Sequence, residues 1–443
     1  MTSATVGVAA SGRATNTKRR SMRTSRRLGL RVGLRSPGRS PQAASPPPKA
    51  LAALLALLAG AGCANAPTPG AFYRPASGPL VGKPGDILRV EAMPGAPCWL
   101  SAARVLYLST GLDGALVPVS GVVVAPRGPV PPGGRPVVAW AHPTTGVATG
   151  CAPSLLGRHF FDGTLGIPGS IPGLSALLDA GFAIAATDYP GLGTPGAHPY
   201  LVGESEGHAV LDSVRAARGL ADVGASTRFA VWGHSQGGQA ALFAGQLAAA
   251  YAPELSLVGV AAAAPPTDLA ALLEVGLGTD VGKVLAAYSF WAWSRVYHAS
   301  LAGVVSPAQL PVVDRVASTC VAYPWQALAV LGEAKPLREG FPSVNPGAVE
   351  PWRALLARNR PGQSPAGAPL FIAQGTVDSI IDARVTSAFV ASLCRQGEVV
   401  RYQQMVDVGH LQAADRAAAA AVGWLKDRFA GRPAPSDCAP KGP

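Results

Sequence analysis

The first 66 residues contain no aspartate or glutamate, yet they hold eleven of the 37 lysines and arginines in this 443-residue chain. That absence is the source of the formal charge of +12, because the 26 basic residues that remain face 25 acidic ones. A nearly neutral body presents no broad field to a polyanion, so nucleic-acid binding has no support beyond the leader. Long apolar runs are also missing: the leader's run, residues 50–59, falls short of the ~20 residues that a membrane-crossing helix needs. No internal repeat stands out, so nothing points to a stacked-repeat architecture. Cysteine is scarce, at six.

A basic stretch followed by a short apolar run suits an export signal. After it comes Gly60-Ala61-Gly62-Cys63, similar to a bacterial lipobox except that Gly60 stands where leucine is usual. A competing cleavage pattern, Ala64-Asn65-Ala66, would leave Pro67 next, where signal peptidases act poorly. The expectation is a lipid anchor on Cys63 and hence membrane attachment, with free secretion as the alternative. An oxidising exterior favours disulfides among Cys98, Cys151, Cys320, Cys394 and Cys438, an odd number that leaves one thiol over. Sequence does not pair them.

Two stretches fit G-x-S-x-G, namely Gly203-Glu204-Ser205-Glu206-Gly207 and Gly233-His234-Ser235-Gln236-Gly237. With 53 glycines the bare pattern is weak, and its context must decide. The second follows an apolar run of strand length, 228–232, and precedes an alanine- and leucine-rich stretch, 236–251, that reads as a helix. A strand, a sharp turn and a helix are what exposes a nucleophilic serine, and Gly233, Gly237 and Gly238 leave room for helix and strand to approach. The first follows a loop-like stretch and flanks its serine with two carboxylates, which would oppose an oxyanion. Ser235 is therefore the candidate nucleophile, and Ser205 reads as a residue at the start of a helix over 204–220.

Residues 67–110 are rich in proline and glycine and read as an arm without a strong period. Strand patterns then appear at 116–125, 136–142, 182–187, 228–232, 257–263, 369–374 and 399–405. Helical patterns fall at 171–180, 204–220, 236–251, 383–394 and 411–429. Strands alternating with helices predict a mostly parallel sheet covered on both faces. The alternation stops at Pro265-Pro266, and about a hundred mostly helical residues follow, with aromatic segments at 288–293 and 323–325. The expected organisation is a leader (1–66), a first part of the core (67–264), a helical cap or lid (265–367) and a second part of the core (368–443). The aromatic segments could line an apolar substrate route or merely pack.

A serine hydroxyl needs a base within reach and a carboxylate to orient that base. In the α/β-hydrolase fold the chain order is Ser, then acid, then His. Asp378 follows the strand ending at Gln374, and His410 follows the strand ending near Met405, as that order requires. Asp382, which could cap the next helix, and Asp407 are rivals for the acid. His234 is expected to pack beside the site. Two N–H donors should hold the oxyanion: the amide of Gln236, and one from the loop 142–146, where Thr144 and Thr145 are both candidates.

These segments resemble the secretory lipase family of α/β-hydrolases, the group that includes the yeast lipase A type, over about residues 70–440. The likeness is carried by Gly150-Cys151-Ala152-Pro153-Ser154, Thr187-Asp188-Tyr189-Pro190-Gly191, the stretch from Gly203 to Arg215, and the elbow. It implies that the segment around Ser205 is the family's turn into a helix, with no catalytic role. It also implies disulfides Cys151–Cys320 and Cys394–Cys438, leaving Cys98 and Cys63 unpaired or paired with each other. The oxyanion donor falls on Thr145, where the yeast type carries an acidic residue, so the choice between Thr144 and Thr145 stays open. The implied chemistry is hydrolysis of acylglycerols or simpler esters, with no metal or other cofactor. A same-fold hydrolase of aromatic esters, thioesters or peptides is the nearer alternative, and a non-catalytic envelope lipoprotein the more distant one.

Overall fold

Residues 68–161 and 170–438 are described by the computed structural model of the chain. The basic leader and the expected lipidation site Cys63 lie outside them. Strands form at β1 (Ile87–Ala92), β2 (Leu100–Thr110), β3 (Leu116–Pro126), β4 (Arg135–Ala141), β5 (Ala183–Thr187), β6 (Ala225–His234), β7 (Ser256–Ala263), β8 (Leu370–Gly375) and β9 (Val400–Met405). They make one sheet in the order β1-β2-β3-β5-β4-β6-β7-β8-β9. The six strands from β5 to β9 are mutually parallel, and β1 to β3 extend one edge antiparallel.

The helices are α1 (Leu174–Asp179), α2 (Gly203–Arg218), α3 (Gln236–Tyr251), α4 (Leu269–Gly276), α5 (Asp280–Val296), α6 (Leu310–Ala317), α7 (Pro324–Glu333), α8 (Trp352–Arg358), α9 (Ala383–Gln396) and α10 (Ala413–Phe429). Successive strand residues point to opposite faces, and here both faces are covered. Val137 and Ala139 of β4 pack with α2, α3 and α9, whereas Val138 and Trp140 pack with α1 and α10. A strand buried on both sides has no use for polar alternation, which is why its sequence reads as an unbroken apolar run.

One expectation needs correction. The stretch 67–110 is not merely an arm, because it contains β1 and the eleven-residue β2, paired with β3 along its whole length. Its period is hidden because five residues in a row, Val105 to Ser109, are buried. Ser109 tolerates burial by donating to Asp212 Oδ2 at 2.6 Å.

Helices α4 to α8 lie between β7 and β8 and, together with Val147, Tyr200, Leu201 and Val202 of the body, build a further apolar cluster around Phe290, Trp293, Val316 and Trp352. Asp268 and Thr279 cap α4 and α5, their side chains accepting the amides of Ala271 and Gly282. In the sheet, β4 has β5 on one side and β6 on the other, so successive crossovers diverge there. The carboxyl ends of parallel strands at such a reversal border a crevice, and this one holds the candidate site.

Candidate active site

Ser235 stands between the end of β6 and the start of α3, with φ +55° and ψ −122°. A side chain rarely adopts that conformation, and it is held here by the Ser235 amide donating to the Ala263 carbonyl at 2.9 Å. The neighbouring glycines permit the turn. A Cβ on Gly233 would stand 2.0 Å from the Gly237 carbonyl oxygen, and one on Gly237 would stand 1.9 Å from that of Ala141. The approach at Gly237 sets the start of α3 against the end of β4, which brings the loop 142–146 beside the serine.

His410 Nε2 lies 2.9 Å from Ser235 Oγ, and His410 Nδ1 lies 2.9 Å from Asp378 Oδ2. A carboxylate only accepts, so Nδ1 carries the proton that Asp378 receives, and Nε2 is left free to accept from the serine. Asp378 is anchored in turn: Oδ1 accepts the amides of Ile380 and Ile381 at 2.9 and 2.8 Å, and Oδ2 accepts Gln374 Nε2 at 3.0 Å. Burial acts to raise this carboxyl, but the hydrogen bond and charge of His410 and the two amides outweigh it and hold the group below its ordinary range.

The rivals stand elsewhere. Asp382 caps α9, accepting the Arg384 amide at 2.8 Å. Asp407 sits in the turn after β9 with φ +57°, its amide donating to Thr376. Ser205 is buried in the first turn of α2. His234 donates from Nε2 to the His410 carbonyl at 3.1 Å, and burial drives its pKa down to about 3, so it packs beside the site as a neutral ring.

The Gln236 amide opens the sixteen-residue α3, where unpaired N–H groups and the helix dipole favour negative charge. Across the crevice, Thr144 Oγ1 pairs with Tyr200 Oη at 2.9 Å, and the Thr145 carbonyl accepts the Val321 amide at 2.8 Å. Neither threonine amide donates to a protein acceptor among the described residues. Both implied disulfides are present, Cys151–Cys320 and Cys394–Cys438, and Cys98 is an exposed free thiol. The first ties the segment after the threonines to the inserted helices.

Two apolar cavities meet at Ser235. One runs along α4, α5 and α8, past Leu269, Leu273, Phe290, Trp293 and Trp352. The other is lined by Thr144, Tyr288, Val330, Leu331, His410 and Leu411. Phe290, Trp293 and Tyr288 thus both pack and face a cavity, whereas Trp325 is exposed and stacks on Tyr323. Sequence reasoning missed Gln374, which orients Asp378 from the strand end, and Ile380, which borders both cavities. A glutamine closing a strand beside an acid loop was the one available signal for the former.

The chain is similar to known proteins. A model of the family described as "Secretory lipase" matches residues 168–300 and 353–437. The chain is 26% identical to Lipase 10 of Candida albicans over 84% of its own length and 83% of that protein's. It is 27% identical to the Mycobacterium tuberculosis protein named probable inactive lipase MT1628, over 83% of each. Among solved structures, Candida antarctica lipase A in its closed state superposes with a TM-score of 0.69 at 18% identity, covering 85% of this chain and 90% of that one, a likeness of fold. With its mostly parallel sheet, inserted helices and nucleophile-type elbow, this chain belongs to the secretory lipase family of α/β-hydrolases and is a carboxylic ester hydrolase.

Proposed function

We propose that the chain cleaves the esters of acylglycerols or simpler lipids through a Ser235-His410-Asp378 triad. The observation that carries this reading is the continuous hydrogen-bonded path from Ser235 Oγ through His410 to Asp378, with 2.9 Å at each step. Ser235 attacks the ester carbonyl as His410 Nε2 takes its proton. Negative charge gathers on the carbonyl oxygen, which the amide of Gln236 and one from Thr144 or Thr145 receive. His410 returns the proton to the departing alcohol, leaving an acyl-enzyme that water hydrolyses by the same route.

The cavities divide the substrate. The leaving oxygen must reach His410, so the alcohol occupies the arm that His410 and Leu411 line, and the acyl chain occupies the arm along α4 and α5. Apolar walls on both arms support a lipid ester over a charged substrate. Replacing Ser235 with alanine is expected to abolish hydrolysis of p-nitrophenyl esters across acyl lengths, together with labelling by a fluorophosphonate. Activity retained by that variant would sink the assignment.

A further inference from the structure

The carboxylates around Ser205 count against that serine as a nucleophile, yet one of them reaches the elbow. Glu206, in the first turn of α2, is fully buried. Its Oε1 accepts the Leu201 amide at 2.9 Å and Gln236 Nε2 at 2.8 Å. The same Gln236 Nε2 lies 2.9 Å from His198 Nε2. His198 Nδ1 is 3.0 Å from the Pro190 carbonyl, which can only accept, so Nδ1 carries the ring proton and Nε2 is an acceptor. Both protons of the Gln236 side-chain amide are thereby committed, one to α2 and one to the loop ahead of it. Leu201 has φ +56° and lines the acyl arm with Tyr200 and Gln236.

We propose that Glu206 is a positioning residue for the oxyanion: through one oxygen it fixes the Gln236 side chain and the Leu201 backbone, and so the first turn of α3 and the adjoining cavity wall. The inference rests on Ser235 as nucleophile and the Gln236 amide as donor.

The groups around Glu206 decide its charge. His198, Tyr189 and Tyr200 face it from the preceding loop, and Tyr297 from the inserted segment. Arg358 is engaged by Glu204 at 2.8 Å, and burial drives His198 down to about 3, so no described cation neutralises Glu206. Burial pushes the Glu206 carboxyl up to about 8, against the opposing bonds from Gln236 and Leu201. At pH 7 it is a neutral acid. Since Oε1 accepts two N–H groups, the proton sits on Oε2, the oxygen that makes no hydrogen bond in the described structure. Ionisation above about pH 8 buries a charge that no described cation pairs, and that charge opposes the developing oxyanion.

The test measures kcat and KM from pH 6 to 10 for the wild type, Glu206→Gln, Glu206→Ala, Gln236→Ala and the double alanine variant. Glu206→Gln keeps an accepting oxygen and cannot ionise, so it should hold activity within about threefold at pH 7 and lack the fall above pH 8 expected of the wild type. Glu206→Ala should lower kcat about 10- to 100-fold with little change in KM, short of the roughly 10²–10³-fold cost of deleting a donor. In the Gln236→Ala background the same change should cost much less. Coincident pH profiles for wild type and Glu206→Gln, or independent multiplication of the two alanine losses, would overturn the proposal. Should Glu206→Ala not fold, the Glu206→Gln profile decides alone. If Ser235→Ala stays active, this inference falls with the triad; if activity depends on Ser235 but kcat is indifferent to Glu206→Ala, it alone falls.

Discussion

Asp378 shows how much of a proposed catalytic residue's character comes from its neighbours. Two amides and the Gln374 side chain hold the carboxylate, and it holds the His410 tautomer. Asp378→Asn keeps the shape but can present an N–H where His410 needs an acceptor, which favours the wrong tautomer. The proposed triad then predicts a fall in kcat of about 10³–10⁴-fold with the melting temperature nearly unchanged, read by ester hydrolysis and circular dichroism. The pH dependence has a definite sign. A carboxyl held below its ordinary 3.8 adds stability that is fully present above that pH and is lost as pH falls through the lowered value, so Asp378 stays ionised across the neutral range. Glu206 has the opposite sign: with its carboxyl raised from 4.5 to about 8, its contribution to stability is fully present below the ordinary value and is lost as pH rises through the raised one. At this scale the sequence nominated Ser235, Asp378 and His410, which the fold brings within hydrogen-bond distance, because chain order restricts acid and base to loops after late strands. It was not legible for Glu206, whose partner is thirty residues away on another helix.

Among the elements, the elbow joins β6 to α3 and needs small residues at several points at once. Gly237→Ala places a methyl 1.9 Å from the Ala141 carbonyl oxygen, and backbone on both sides cannot yield. The start of α3 must then move away from β4, at a cost of about 3 kcal/mol or more and with loss of the proposed oxyanion geometry. Urea unfolding and ester hydrolysis should both report it; a variant of wild-type stability and rate would show that the packing is looser than described. The parallel strands were legible because burial on both faces leaves continuous apolar runs between turn signals. Strands β1 and β2 were not, since proline and glycine surround them and β2 mixes half-buried residues with a run of buried ones. Pairing with β3 makes them strands, and pairing is a property of two segments.

Across the whole molecule, Cys151–Cys320 closes a sequence separation of 169 residues and joins the core to the inserted helices. The Val321 amide on the Thr145 carbonyl makes the same connection one residue beyond the disulfide. Replacing both cysteines with serine is expected to cost about 2–5 kcal/mol and to lower kcat as the threonine loop loosens. The matching change at Cys394 and Cys438, a separation of 44 on the far side of α9, should cost somewhat less stability and leave kcat alone. Equal effects on kcat from the two pairs would argue against a link between the inserted helices and the proposed oxyanion loop.

What could be read along the chain was whatever depends on neighbours in sequence: apolar runs of strand length, helical stretches, the glycines of a strained turn, and the order of serine, acid and base. The folded chain alone decided what depends on distance in space. It brought residues 145 and 321 together, opened two apolar arms at Ser235, and buried Glu206 against Gln236 with no cation among the described residues to pair it. The physical reason is that burial and hydrogen bonding act between segments, and a pattern of neighbours carries no record of which distant segment will cover it.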